Sequence, residues 1–126
     1  MANDWIYEKA NALVKKYFTR DPLELTQILN IHLEEINNTT VLLGMYQIIQ
    51  RNRFIFLSSN LHPNIRKVVL AHEIGHDQLH RKYAKQNAFH EVSIFRELNH
   101  YEIEANIFAP HFLPTVLPLE RQLHEA

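Results

Sequence analysis

The sequence predicts an α+β domain in which helices on both sides of the chain's middle third enclose a short, mostly antiparallel sheet. Apolar residues recur at helical spacing near the start and in the last half of the chain, whereas residues 31–57 carry short β-branched and aromatic runs. The 126 residues suffice for one hydrophobic core, and no repeat or Gly/Ser/Pro-rich linker divides them. We therefore expect residues 1–126 to form a single domain.

Two helices are predicted before the strands. Residues 4–18 carry apolar side chains at a 3.6-residue period, and Asp21-Pro22 is typical of an N-cap followed by a first-turn proline that opens a short helix to about Leu29. Strands are expected within residues 31–36, 41–49 and 54–57, with turns at residues 37–38 and 50–52.

The chain is predicted to become helical again from Pro63 to about His80. Residues 81–87 are polar and are expected to form a surface loop, and residues 88–95 are ambiguous between strand and helix. Another helix is expected at residues 99–109, with a kink or an end at Pro110 because proline removes a backbone donor. A terminal helix is expected from residues 113–114 to Leu123.

Composition excludes several classes of function. Without cysteine there is neither a disulfide nor a thiolate metal site, so any metal must be held by His, Asp or Glu. A net charge of −1 without a basic run argues against direct nucleic-acid binding, and two glycines disfavour a phosphate-binding loop. No apolar run is long enough to cross a membrane, and the acidic start is unlike a signal peptide. Nine histidines stand out instead.

The informative motif is His72-Glu73-Ile74-Gly75-His76, an H-E-x-x-H. Residues four apart lie on the same face of a helix, so both imidazoles can reach one metal ion, while Glu73 is rotated by about 100° and can work on a water beside it. Two imidazoles and a third ligand would leave the fourth position of Zn²⁺ open. Two His and a carboxylate also suit Mn²⁺ or Fe²⁺.

The alternative interpretation is a surface helix with scattered histidines. Two features argue against it: the apolar run at residues 68–71 that enters the motif, and Gly75, which costs about 1 kcal/mol in mid-helix relative to alanine. A glycine there is expected where another element packs very close. A purely structural zinc site is disfavoured because such sites are usually closed by cysteine.

The third ligand is expected from the helix at residues 99–109. The spacing of metzincins would require Gly at 79 and His at 82, where this sequence has Leu79 and Lys82. Glu102 and Glu104 are the candidates, and their side chains point about 200° apart, so only one can face the ion. We favour Glu102, because Asn106 shares its face and could accept the N–H of a ligating imidazole.

These residues resemble the ImmA/IrrE family of metallopeptidases over roughly residues 5–115. The resemblance is carried by the H-E-x-x-H with the following Leu79-His80, by Glu102-x-Glu104-Ala105-Asn106-x-Phe108-Ala109, by Phe54-Ile55-Phe56-Leu57, by Arg66-Lys67-Val68-Val69-Leu70-Ala71, and by a first helix with Ala10 and Leu13. It implies a zincin-like fold and a cytoplasmic peptidase whose substrates are helix-turn-helix repressors of phages and mobile elements. Pro110 departs from the family's pattern.

The leading hypothesis is a zinc endopeptidase that uses His72, His76 and Glu102 as ligands and Glu73 as general base. A non-cleaving zinc regulator that binds a repressor is the alternative. Five residues remain open as donors to the oxyanion of the reaction: Tyr83, His90, His100, Tyr101 and His111. His80 is expected to cap or pack the helix end or to hydrogen-bond near the cleft, and three histidines are expected at the surface: His32, His62 and His124.

Overall fold

The computed structural model describes residues 2–37, 42–91 and 99–113. These residues form five helices and four strands. In chain order these are α1 (Asp4–Tyr17), α2 (Pro22–Ile28), β1 (His32–Ile36), β2 (Gly44–Ile49), β3 (Asn52–Ser58), α3 (Pro63–Leu79), α4 (Arg81–Ala84), β4 (Phe89–Glu91) and α5 (His100–Phe112). The predicted α+β class is confirmed. That all 126 residues form one domain stays a prediction.

The strands form one sheet in the order β1-β3-β2-β4. β2 pairs antiparallel with both β3 and β4, whereas β1 runs parallel to β3, so the sheet is mostly antiparallel as predicted. Gln50 and Arg51 join β2 to β3 in a two-residue turn with φ of 49° and 70°, the left-handed conformations that match the twist of a tight hairpin. This order leaves β4 at one edge of the sheet.

Three helices begin at side chains that cap the first turn. Asp21 accepts a hydrogen bond from the backbone N–H of Leu23 before α2, as its position ahead of a proline predicted. His62 caps α3, and Asn99 caps α5 by accepting from the N–H of Glu102 at 3.1 Å. The cap at Asn99 therefore fixes where α5 begins and which turn carries Glu102.

Helix α3 lies between the sheet and α5, and residues 69–77 of it are all buried. Gly75 faces α5, where a β-carbon would lie 3.1 Å from Phe108 Cδ1 and 3.3 Å from Ala105 Cα. The glycine thus permits the close approach of a second element that the sequence predicted. Among the described residues, no helix has both the length and the apolar character needed to cross a membrane.

A buried polar network ties α3 to the sheet. Asp77, with no exposed surface, accepts hydrogen bonds from the Tyr46 hydroxyl at 2.6 Å and from Arg53 Nη1 at 2.8 and 3.1 Å. Arg53 also donates to the backbone carbonyl of Leu29 at the end of α2. Burial, with the Asp77 charge, raises the pKa of Tyr46 well above its usual range, so the phenol remains a donor.

Two sequence expectations about local structure are wrong. The first is the surface loop at residues 81–87: α4 occupies its first half and buries Ala84 in the core. The second is the end of the helix at Pro110, because α5 continues to Phe112. The kink at Pro110, which is the other predicted outcome, stays a prediction. Proline removes one helical hydrogen bond, and the complete burial of the Phe112 ring offsets that loss.

The ambiguous segment at residues 88–95 contains β4 at its start, and its remainder lies outside the described residues. Three other predictions fall wholly or partly outside the described residues. They are the turn at Asn38, the start of a strand at Val41, and the terminal helix expected from residues 113–114 to Leu123, of which residue 113 alone is described.

The Asp77 network predicts a graded loss of stability. Asp77→Ala is expected to lower the free energy of unfolding by about 3 kcal/mol, because it leaves the Arg53 charge and the Tyr46 hydroxyl without their acceptor. Tyr46→Phe removes one hydrogen bond and should cost about 1 kcal/mol. Urea unfolding measures both.

The control is the pair formed by the half-buried Arg66 and the exposed Glu35, whose charged atoms lie 3.2 Å apart. Glu35→Gln should change the stability by less than about 0.5 kcal/mol, because solvent screens an exposed pair. Equal losses for Asp77→Ala and Glu35→Gln would contradict a structural role for the network.

Candidate metal centre

Two imidazoles from α3 face each other in the interior. His72 and His76 lie one helical turn apart and are both almost completely buried. Their Nε2 atoms are 3.2 Å apart, and the ring planes meet at 85°. Phe89 of β4 stacks on the His76 ring with centroids 3.7 Å apart, which limits its rotation. The spacing of the motif therefore directs two nitrogen donors to one point.

Helix α5 adds a carboxylate to this pair. Glu102 Oε1 lies 2.9 Å from Nε2 of both His72 and His76. Glu104, the other candidate, lies on another side of the helix, where its Oε1 accepts from His80 Nε2 at 2.7 Å. The structure therefore brings Glu102 to the imidazoles, and the role of Glu102 as a ligand stays a prediction.

Sequence reasoning missed a fourth donor, Glu91 at the end of β4. Its Oε1 lies 3.0 Å from His72 Nε2 and 3.1 Å from His76 Nε2, and its side chain is 2% exposed. Phe89 and Glu91 are buried and His90 between them is exposed. An acidic residue at the buried position of a strand was thus the available signal, but the segment could not be assigned to a strand from its pattern.

The four donor atoms are arranged as a cation would require. Each Nε2 carries at most one proton, yet His72 Nε2 has three polar neighbours within 3.2 Å: those of Glu91, Glu102 and His76. One proton cannot satisfy three partners that lie in different directions. In a tetrahedral site with ligand distances of about 2.0 Å, donors lie about 3.3 Å apart, close to the separations seen here. The donor set therefore fits a divalent metal ion.

The outer nitrogens of both imidazoles have partners that select the tautomer needed for metal binding. His72 Nδ1 donates to Asn106 Oδ1 at 2.9 Å, as the sequence predicted. His76 Nδ1 donates to His80 Nδ1 at 3.0 Å, and His80 Nε2 in turn donates to Glu104. Both Nδ1 atoms hold the proton in this pattern, which leaves both Nε2 lone pairs free for the ion.

The hydrogen bonds of His80 show which of its expected roles it has: it hydrogen-bonds next to the centre. It follows α3 directly, and its ring links a candidate ligand to Glu104. Burial lowers the pKa of His80 to about 4, despite the opposing hydrogen bond to Glu104. A neutral His80 can accept a hydrogen bond at Nδ1 from the Nδ1–H of His76, whereas a charged His80 could not.

Without an ion, the inner groups have strongly shifted acidities. Burial alone would lower the pKa of His72, but hydrogen bonds to Glu102 and Glu91 outweigh it and raise the pKa to about 9. Burial opposes ionisation of Glu102, but the two imidazoles hold the pKa of that carboxyl well below its usual range. The metal-free centre thus holds a proton that a metal ion would displace.

Glu73 is buried beside this centre with neither carboxylate oxygen hydrogen-bonded among the described residues. Burial raises the pKa of Glu73 well above its usual range, and the charges of Glu91 and Glu102 raise it further. A β-carbon at Gly44 would lie 2.8 Å from Glu73 Oε2, so the glycine in β2 leaves room for the carboxylate. Burying an acid without a hydrogen-bond partner is unfavourable unless water or substrate supplies that partner.

The five candidate oxyanion donors occupy different surroundings. Tyr83 and Tyr101 pack against each other, with ring centroids 4.3 Å apart, and Tyr101 also contacts His80. His100 is exposed beside Tyr101, and His111 contacts Tyr7 of α1.

His90 is exposed, unlike its buried neighbour Glu91. Of the five candidates, Tyr101 has its ring against His80, the residue that is hydrogen-bonded to His76. Of the histidines expected at the surface, His32 and His62 are exposed, and His124 lies outside the described residues.

Comparison with known proteins relates the chain to a peptidase family and to a phage protein. Residues 26–124 match the peptidase family described as the IrrE N-terminal-like domain. Over 101 residues the chain is 39% identical to a protein of Bacillus phage phi105 described as "Uncharacterized immunity region protein 2". That alignment covers 80% of this chain and 63% of the phage protein, so the chain spans less than two thirds of the length of its relative.

Metal binding is expected to release a proton. Below about pH 9 His72 is protonated in the metal-free protein, and the ion needs the unprotonated nitrogen. Affinity for Zn²⁺ should therefore fall about tenfold for each pH unit below 9, with about one proton released per ion near pH 7. Calorimetric titration in buffers of different ionisation enthalpy measures the release. The exposed His32→Ala variant should behave alike, and binding without proton release would contradict the prediction.

The two acidic residues of α5 should differ in their effect on metal affinity. Glu102→Gln is expected to weaken Zn²⁺ binding more than about 100-fold, because it removes an anionic donor 2.9 Å from both imidazoles. Glu104→Gln acts only through His80 and should cost about tenfold. Competition with a chromophoric chelator measures both. A larger loss for Glu104→Gln would reverse the assignment.

Proposed function

The chain belongs to the IrrE N-terminal-like domain family of peptidases, and from that premise we propose that it is a zinc-dependent endopeptidase. The observation that carries the proposal is the convergence of His72, His76 and Glu102 beside a buried, unpartnered Glu73. Two imidazoles, one carboxylate and a nearby free acid are the groups that metal-assisted hydrolysis of a peptide bond requires.

The chemistry divides between the ion and the protein. A zinc ion held by His72, His76 and Glu102 would supply a Lewis acid and lower the pKa of water. Glu73 accepts the proton of the attacking water and passes it to the leaving amine. Its raised pKa suits both steps, because it makes the Glu73 carboxylate a stronger base toward water, and the proton can then pass to the more basic leaving amine. Asn106 and His80 keep the imidazoles in orientation.

An extended peptide is the substrate form that suits this site. Strand β4 lies at the edge of the sheet, and it ends at Glu91 next to the imidazoles. A peptide that pairs with this edge would lie alongside the centre, held by main-chain hydrogen bonds. The oxyanion donor would then be Tyr101, whose ring contacts His80, or Tyr83, which packs on Tyr101.

We further propose that the substrate is a helix-turn-helix repressor and that the chain acts in phage or mobile-element immunity, in the cytoplasm. The family supports this proposal, and so does the phage relative, whose name places that protein in an immunity region. The chain's net charge of −1 is consistent with action on a protein rather than on DNA.

A non-cleaving zinc regulator that binds and inactivates a repressor is the alternative. The observation that favours it is Glu91, because four protein donors close a tetrahedral ion, as in sites without catalysis. The two functions differ in their need for Glu73, which a regulator would not use for chemistry.

Glu73→Gln is expected to retain zinc and to lose about 100-fold or more of the cleavage rate, because the amide cannot accept the proton of water. The assay incubates the zinc-loaded protein with the repressor encoded next to its gene and identifies fragments by mass spectrometry. Glu34→Gln, an exposed change on β1, is the matched control and should leave cleavage intact.

Undiminished cleavage by the Glu73→Gln protein would end the peptidase proposal. If this variant still relieved repression in cells, although no fragments formed with either protein, the regulator would be favoured instead. Zinc content measured on each preparation separates loss of the base from loss of the metal.

A further inference from the structure

We propose that Glu91 is a latch: a fourth ligand that closes the metal site and must withdraw before water or substrate can reach the ion. The inference rests on the metal site of the proposed function. Its basis is the position of Glu91 Oε1, 3.0 and 3.1 Å from the same two nitrogens that Glu102 Oε1 contacts at 2.9 Å. A zinc ion in the middle of these donors would have all four tetrahedral positions filled by the protein.

Charge is balanced among the ligands of the closed arrangement. Two neutral imidazoles and two carboxylates balance a divalent cation, so the ion and its four ligands have no net charge. If Glu91 leaves, the ion and the three remaining ligands carry a charge of +1, and the buried Glu73 carboxylate beside them would then be the balancing charge. Because Glu91 is 2% exposed and Glu102 only 12%, both carboxylates would repel each other strongly without an ion between them.

The two carboxylates are held by elements of unequal rigidity. Glu102 stands on the thirteen-residue helix α5, which Phe108 and Phe112 anchor in the core. Glu91 lies on β4, which pairs with β2 at three positions among the described residues. Fewer main-chain hydrogen bonds hold that described pairing than hold a helix of thirteen residues, and such segments open at lower cost. Glu91 is therefore the carboxylate that can leave.

The side chain of Glu91 has few other ties. Its Oε2 atom is buried without a hydrogen-bond partner among the described residues, so the carboxylate is held through Oε1 alone. Its backbone carbonyl accepts from Leu43 N–H at 2.7 Å, which places the strand without fixing the side chain. Rotation of the Glu91 side chain would thus break its contacts to the centre and no other side-chain hydrogen bond among the described residues.

The latch joins substrate binding to the opening of the site. A peptide that adds to the sheet at β4 would pair with the strand that carries Glu91. A rotation of the Glu91 side chain on peptide pairing would move its carboxylate away from the imidazoles, while Phe89 of the same strand stays stacked on His76. The closed site would then be inert toward water until a substrate engages the edge.

The test measures access to the metal without any peptidase assay. The full chain is loaded with Co²⁺, whose visible spectrum reports its ligands, and is titrated with acetohydroxamate, a small metal-binding anion. If the latch fills the fourth position in most wild-type molecules, the anion should bind Glu91→Ala about tenfold or more tightly than wild type. His90→Ala, the exposed neighbour on the same strand, is the control and should behave as wild type.

Glu91→Gln is the second variant and preserves side-chain volume if Glu91→Ala fails to fold. It should also bind acetohydroxamate more tightly than wild type, because a neutral amide is a weaker ligand. Equal affinities of wild type and both folded variants, with one Co²⁺ bound in each, would overturn the latch and leave the proposed metal site standing. Failure of wild type to bind Co²⁺ one to one would overturn the site and the latch together.

Discussion

The close packing of α3 on α5 at Gly75 is the constraint on which the centre depends. A β-carbon there would press on Phe108 and on the backbone at Ala105. With glycine at this position, one turn of α5 comes near enough for Glu102 to contact both imidazoles and for Asn106 to reach His72. The intrinsic cost of a mid-helix glycine, about 1 kcal/mol, is the cost of this geometry.

Helix α3 carries two buried acids with contrasting surroundings. Asp77 has partners for both oxygens, in Tyr46, Arg53 and the neighbouring Gln78, and holds the helix to the sheet. Glu73, four residues earlier, has none among the described residues. A buried acid with satisfied hydrogen bonds serves the fold, whereas an unsatisfied one indicates a site completed by water or ligand. The contrast locates the chemistry at the turn of α3 that carries Glu73, one turn before the residue that anchors the helix to the sheet.

The orientation of the two imidazoles is set by the hydrogen bonds of their Nδ1 atoms, which point away from the centre. Protons at both Nδ1 atoms are fixed by Asn106 and by the chain from His80 to Glu104. Such contacts prepare the inner nitrogens before any ion arrives, so less reorganisation accompanies binding. Of the four inner donors, three lie on helices α3 and α5 and Glu91 lies on strand β4. Donors from three different elements thus meet at one point.

Local periodicity determined much of this protein from the sequence. The helical spacing of His72, Glu73 and His76 follows from 3.6 residues per turn, and the same rule separated Glu102 and Asn106 from Glu104. These inferences hold because neighbours on one helix keep fixed relative directions whatever surrounds them.

Tertiary structure alone decided the rest. Glu91 approaches the imidazoles only because β4 pairs with β2 at the sheet edge, and three residues carry too short a pattern to predict a strand. The continuation of α5 beyond Pro110 and the helix at α4 depend on burial of Phe112 and Ala84, which no neighbouring residue in the sequence reveals. Periodicity fixes the directions of side chains within an element, and packing between elements decides which of those side chains meet.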